Sequence, residues 1–487
     1  MAKKLLFELS LFLYNFISIY TSKIIVIPFR SNISENNITN TSEKFLRKSL
    51  YTENLIGTPA QTININIFET TFSFYIGEKM CDKIPATYYK CSDSSSYIAT
   101  TGIIEDEYYG EGFISQEFFS FYNSTNLKSN ISSPKIKFFF KKNYRVTEAQ
   151  QVCGDLGLKI KETYSDYDST SSFIETVKRI NLIDGYPWSY IFFEKDKNNK
   201  IKNINGISNE YIMKNYEGVL ILGESPHQYE SNKYNESDLI NVVAAKRAID
   251  LYWDLIFKNI YFLQKNNTVF NLNVSMQASL DINLNYIIAP FWVFQNITEY
   301  FFKEYLNNNK CKLNQAIKDF YNSTYISCNK KDFNNNDIKK FPTIFFEHVN
   351  YNYTFNLNFN DLFEEFNDSI LFLIHSTDSN LYWNLGKIFL KKYKFVFNQN
   401  SKTIGFYKKN YNGQDENEEE IDNGKSVFEF LKNKNFWINF AWIMSCIVCL
   451  GLGAYFGHKY IKKEKKRRAN ELKDDDYDYS IQNNINE

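Results

Sequence analysis

The residues best placed for chemistry lie in one stretch, Gln277-Ala278-Ser279-Leu280-Asp281-Ile282-Asn283-Leu284-Asn285-Tyr286-Ile287-Ile288-Ala289-Pro290. Asp281 ends an apolar, strand-like run and is followed by more strand-like sequence, not by a polar loop. A carboxyl group among apolar side chains favours its neutral form, so a solitary acid here would tend to stay protonated. Two carboxyls around one water behave differently. They cannot both ionise, so one acts as base on the water and the other as acid toward a carbonyl. Such a pair titrates as a unit, and losing one member removes the mechanism, not half of it. Whether Asp281 has a partner therefore decides what this stretch can do.

The elements that must position it belong to a chain of 487 residues, long enough for a large core and two or more domains. Aromatic residues make up 18%, with abundant Ile and Asn and only 18 Gly and 8 Pro, which suits long twisted strands joined by polar loops. Lys plus Arg and Asp plus Glu both number 56, so net charge gives no reason to expect a nucleic-acid partner. No metal site and no cofactor is expected.

Residues 1–22 read as a secretory signal peptide: Lys3 and Lys4 precede an apolar run from Leu5 to Ile19, broken by Glu8. A retained N-terminal anchor is the alternative. Residues 23–50 read as a polar segment rich in glycosylation sequons. Phe436 to Gly457 is 22 residues without a charge, enough to span a bilayer of about 30 Å. Lys459, Lys462, Lys463, Lys465, Lys466, Arg467 and Arg468 follow, placing the C-terminal tail, 458–487, in the cytosol. The expectation is a single-pass type I membrane protein, with an acidic stalk at 411–435 before the span at 436–457.

Two further features agree with that topology. All 12 Asn-x-Ser/Thr sequons lie before the span, at Asn32, Asn37, Asn40, Asn123, Asn130, Asn235, Asn266, Asn273, Asn296, Asn322, Asn352 and Asn367. Five of the seven cysteines also precede it. Cys81–Cys91 and Cys311–Cys328 are plausible disulfides in an oxidising lumen, leaving Cys153 as a buried thiol.

A series of motifs runs in order from Tyr51 to Tyr407. Ile56-Gly57-Thr58-Pro59-Ala60-Gln61 reads as a hairpin turn, and Ile63, Ile65 and Ile67 alternate with polar residues as in a half-buried strand. Phe68-Glu69-Thr70-Thr71 follows, then Phe74-Tyr75-Ile76. Further on stand Ser94-Ser95-Ser96-Tyr97, Tyr109-Gly110-Glu111-Gly112 and Gly154-Asp155-Leu156-Gly157-Leu158. Then come Trp188-Ser189-Tyr190, Val219-Leu220-Ile221-Leu222-Gly223, Tyr252-Trp253-Asp254 and Phe341-Pro342-Thr343-Ile344. Trp383-Asn384-Leu385-Gly386-Lys387-Ile388-Phe389 closes the series. In kind and order this resembles the pepsin-like aspartic peptidase family, with Ala278 to Pro290 similar to the segment around its second catalytic Asp.

The resemblance implies a mainly β, bilobal fold, with lobes at 51–225 and 226–410. It places the retained family Asp at Asp281 and Phe68 at the position of the first catalytic Asp. A slip of one residue would offer Glu69 instead, but would turn the Ile alternation to the wrong face. It also implies that Cys81–Cys91 closes the small loop after the first site. Tyr75 and Tyr109 would line the cleft with Phe68, Tyr109 as the flap tyrosine; a second register puts that position near Glu105. In the family, Thr side chains after each Asp bond across the lobe interface. Glu69 and Ile282 stand in those places, and Thr70 and Asn283 replace two glycines, where a side chain should crowd a tight turn. The resemblance thus implies a catalytically inactive member that binds a peptide or protein. An active endopeptidase using Asp281 with Glu69, or a glycosylated surface protein whose cleft is idle, are the alternatives.

Overall fold

A computed structural model describes residues 23–31, 50–69, 74–77, 89–100, 103–106, 110–122, 130–141, 154–160, 172–193, 210–247, 250–264, 267–318, 321–351, 353–377 and 381–408. The chain is mainly β. Among the described residues its strands form two large sheets, of sixteen and twelve strands, and one small two-stranded sheet.

The centre of each large sheet repeats the same arrangement. In the first, Gln61–Phe68 pairs parallel with Gly154–Gly157, which pairs antiparallel with Tyr75–Gly77, which pairs parallel with Ile136–Lys141. In the second, Met276–Leu280 pairs parallel with Trp383–Leu385, antiparallel in turn to Ile287–Ala289, which runs parallel to Ile374–Thr377. An antiparallel partner flanks each set, Leu50–Ile56 beside Gln61–Phe68 and Asp254–Gln264 beside Met276–Leu280. Parallel neighbours cannot be joined by a tight turn. In both sheets a long excursion therefore separates the strand that carries a site residue from the strand beside it.

The registers match as well. Ile67 is paired with Leu156 and Leu280 with Leu385, so Phe68 and Asp281 are the next residues on equivalent strands. The first hairpin turns at residues 57–60, between the paired Ile56 and Gln61. Gly57 sits there at φ +88°, a conformation L side chains rarely adopt.

Three findings differ from the sequence reading. Within the stretch read as polar, Ile25–Ser31 forms a strand between Gly218–Leu222 and Leu50–Ile56, with Ile25 and Val26 fully buried. The strand Gln61–Phe68 is buried on both faces, because Asn64 and Asn66 lie inside along with the isoleucines. Asn66 Nδ2 is accommodated by donating to the Asp155 carboxylate at 3.0 Å. Third, the first sheet recruits late sequence: Phe395–Asn398 pairs with Pro187–Phe192, and Thr403–Tyr407 lies between Phe395–Asn398 and Leu239–Val243.

The core runs through both sheets. Trp188 stacks on Phe397 at 4.2 Å between ring centroids and meets Trp253 edge-on at 5.6 Å. The Trp253 indole N–H donates to Leu158 O at 2.8 Å, so this buried polar group is paired as burial demands. Cys311 and Cys328 face each other on paired strands and form a disulfide. Cys81 and Cys153 lie outside the described residues, as do the signal segment, the stalk, the 436–457 span and the tail. Among the described residues no helix is long and apolar enough to cross a membrane.

Candidate functional site

Where the strand Gln61–Phe68 ends, the chain turns inward. Phe68 is half-buried, whereas Glu69 is only 3% exposed. Leu158 N donates to Phe68 O at 2.8 Å, and on the equivalent side Asp281 N donates to Leu385 O at 3.0 Å. Both residues at the strand ends are thus fixed by the backbone of the neighbouring parallel strand. Asp281 is half-buried, and its Oδ1 accepts from Asn283 N at 2.9 Å.

Glu69 crosses between the sheets. Its Oε1 accepts from Ile282 N at 3.2 Å and from the Tyr190 hydroxyl at 2.8 Å. Its Oε2 is buried and has no hydrogen-bond partner among the described residues. Burial holds the Glu69 carboxyl well above the usual carboxylate range, and the charge of Asp281 pushes it further the same way. Burial thus favours the neutral form of this acid, whose Oε1 accepts both hydrogen bonds. Tyr190 is raised by the same burial and then by Glu69, so the pair is a phenol donating to a carboxyl deep in the protein.

Asn283 makes the return connection. Its side-chain N–H donates to Ile67 O at 2.8 Å, and its Oδ1 accepts from Leu50 N at 3.0 Å. The side chain expected to crowd a tight turn instead reaches across and pairs two buried backbone groups of the first sheet. Gly386 lies against the same loop: a Cβ there would stand 2.1 Å from Tyr286 O and 2.4 Å from Leu284 O.

Asp281 is therefore not solitary, because Glu69 lies near enough to feel its charge. Glu69 gets there without any slip, as the residue after Phe68. The two carboxyls are unequal, however. Asp281 is partly open to solvent, while Glu69 is enclosed and engaged with Tyr190 and Ile282. A dyad must hold a water between two accessible carboxylates and also reach a substrate. Phe68, the residue at the position equivalent to Asp281, has no group that could hold that water.

The structure places the remaining candidates as follows. Tyr75 lies on the strand Tyr75–Gly77, beside Phe139 and Asp155. Tyr109 lies outside the described residues; of the residues near it, Glu105 pairs with Glu111 and Asp106 with Gly110. Cys91 is half-buried in a short 3-10 turn, while its expected partner Cys81 is outside the described residues. Asn235, Asn273 and Asn367 are exposed and Asn296 half-exposed. Asn130 and Asn322 lie on strands. Asn32, Asn37, Asn40, Asn123, Asn266 and Asn352 lie outside the described residues.

Sequence reasoning missed the roles of Tyr190 and Asn283. Tyr190 was legible only as one residue of a strand motif, and the Asn283 signal was the replacement of a small residue by an amide.

Comparison with protein-family models finds no match, and comparison with curated proteins finds none either.

Proposed function

We propose that the chain is a membrane-anchored member of the pepsin-like aspartic peptidase family with a bilobal ectodomain, that its peptidase centre is lost, and that the ectodomain binds a peptide or protein. The observation that carries this reading is the inequivalence of the two strand ends. Equivalent strands deliver Phe68 on one side and Asp281 on the other, so a paired-carboxylate centre lacks one carboxylate. The neighbouring acid, Glu69, is buried and committed to a connection between the sheets.

The repeated four-strand arrangement supports the bilobal family fold, because two copies of one topology bring two equivalent strand ends to a common junction. The hydrophobic run 436–457 with its basic flank supports a type I orientation, with the tail in the cytosol. The exposed sequons at Asn235, Asn273 and Asn367 accord with an ectodomain in the secretory lumen or outside the cell.

A second reading, an active endopeptidase using Asp281 with Glu69, is favoured by one observation: Asp281 contributes to the raised pKa of Glu69, so the two carboxyls interact. Incubation with peptides at acid pH, with and without a pepstatin-type inhibitor, separates the two. The inactive reading expects no inhibitor-sensitive cleavage. Such cleavage would replace it with the second.

A further inference from the structure

The helix Phe291–Ile297 buries Val293, Phe294 and Ile297, which mark its inward face. Helical periodicity puts Trp292 and Asn296, four residues apart, together on another face. Trp292 is 40% exposed and Asn296 is half-exposed. The other tryptophans among the described residues, Trp188, Trp253 and Trp383, are all fully buried.

A single exposed aromatic is ordinary on a protein surface. Trp292 differs in what stands one turn further on. Asn296 begins a glycosylation sequon that Thr298 completes. Residues four apart on a helix have Cβ atoms about 5–6 Å apart, and a helical side chain leans over the turn that precedes it. A group attached to the Asn296 amide is therefore directed back over Trp292. Among the described residues, Asn296 is the one sequon asparagine within an α-helix: Asn130 and Asn322 lie on strands, Asn235 caps a 3-10 turn, and Asn273 and Asn367 have positive φ.

The chemistry of the two groups matches. A pyranose ring has a face of C–H groups and a rim of hydroxyls, so it can lie on an aromatic ring while its polar groups stay in water. An indole half in solvent offers that apolar face.

We propose that Asn296 carries an N-linked glycan whose first N-acetylglucosamine packs on Trp292 and covers its exposed ring. This rests on the reading that places the ectodomain in the secretory lumen. In the attachment step the Asn296 amide nitrogen forms a bond to C1 of the sugar and loses a proton. The bond from C1 to a lipid-linked diphosphate donor breaks, and the diphosphate leaves with the electron pair. The transfer precedes helix formation, because in the folded chain Thr298 Oγ1 donates to Phe294 O at 2.8 Å.

The test uses the full-length chain from a glycosylating eukaryotic host. Mass spectrometry reads glycan occupancy at each sequon, and hydroxyl-radical footprinting reads oxidation of Trp292, with the exposed Tyr211 as reference. Asn296 is expected to be occupied, and Trp292 to oxidise severalfold more slowly than in Asn296→Gln or Thr298→Ala, with Tyr211 unchanged. Enzymatic removal of the glycans from the folded protein gives the same comparison without a substitution, so a variant that fails to fold does not block the test. An occupied Asn296 with Trp292 oxidised at the same rate after glycan removal would overturn the proposal. So would a bare Asn296 beside glycans at Asn235 or Asn367, an outcome that leaves the lumenal reading standing. A chain with no glycan at any sequon would overturn both.

Discussion

Ile282 donates its backbone N–H to the Glu69 carboxyl at 3.2 Å, across 213 residues of sequence. With the two bonds from Asn283 to Ile67 O and Leu50 N, it ties the strand ends of the two sheets together. A carboxyl and an amide do this, and the carboxyl is one that burial and Asp281 keep from ionising easily.

A stability change with pH follows from Glu69. Its folded pKa lies above the unfolded value, so the stability linked to its proton is fully present below the ordinary carboxylate range, about pH 4. That stability is lost as pH rises through the folded value. Glu69→Gln keeps an oxygen for Tyr190 and Ile282 and removes the ionisation. It is expected to raise the thermal midpoint by a few degrees near neutral pH and to change it little near about pH 4. Scanning calorimetry at both pH values checks this, and a variant equally destabilised at both would contradict it.

Glu117 behaves in the opposite sense. It is fully buried, and although burial alone would push it up, hydrogen bonds from Ser96, Tyr89, Ser94 and Phe118 N hold it below the usual range. The stability it contributes is present above the unfolded carboxylate pKa and is lost as pH falls through the folded one. Glu117→Gln should cost about 2 kcal/mol near neutral pH, the scale of charge-assisted bonds lost in a buried network. Urea melts should show that cost shrinking toward acid.

Removing the Asn283 side chain tests the return connection. Asn283→Ala leaves Ile67 O and Leu50 N without their partner, and about 2–4 kcal/mol of stability should go with two buried backbone groups unsatisfied. Equilibrium unfolding measures it. A loss well under about 1 kcal/mol, the size of a single ordinary bond, would mean that these contacts are not what joins the sheets.

Gly386→Ala should be the most damaging small change near the site. The added Cβ would meet two backbone carbonyl oxygens at 2.1 and 2.4 Å, and neither can swing away as a side-chain tip would. The expected outcome is little or no folded protein, read as loss of soluble yield and of cooperative unfolding. A variant that folds with near-normal stability would show that the Leu284–Tyr286 loop gives way.

Much of the site's frame was legible in the sequence, and its connections were not. The hairpin at Ile56–Gln61 and the alternation of Ile63, Ile65 and Ile67 fix a register that puts Phe68 at the strand end, because a slip of one residue would reverse every side chain. The burial of Asn66 was not legible, since its partner Asp155 lies on a parallel neighbour 89 residues away. Glu69 shows the same limit. Its position after Phe68 could be read, but its enclosure depends on Tyr190, 121 residues on, and Ile282, 213 residues on. Ile25–Ser31 was hidden differently: its apolar run is short and adjoins a sequon-rich stretch, so composition averaged over the segment concealed a central strand. Local pattern specifies an element, whereas pairing across a junction is a property of the whole chain.

The most direct test of the central claim is to incubate the purified full-length protein, with Asp281→Ala beside it, with a mixed peptide library from about pH 3 to 7, the range in which a carboxylate dyad would work. The account predicts no cleavage by either protein at any pH, from samples that unfold cooperatively. Cleavage that a pepstatin-type inhibitor blocks and Asp281→Ala abolishes would contradict it, and would mean that Glu69 leaves its bonds to Tyr190 and Ile282 to complete a working pair.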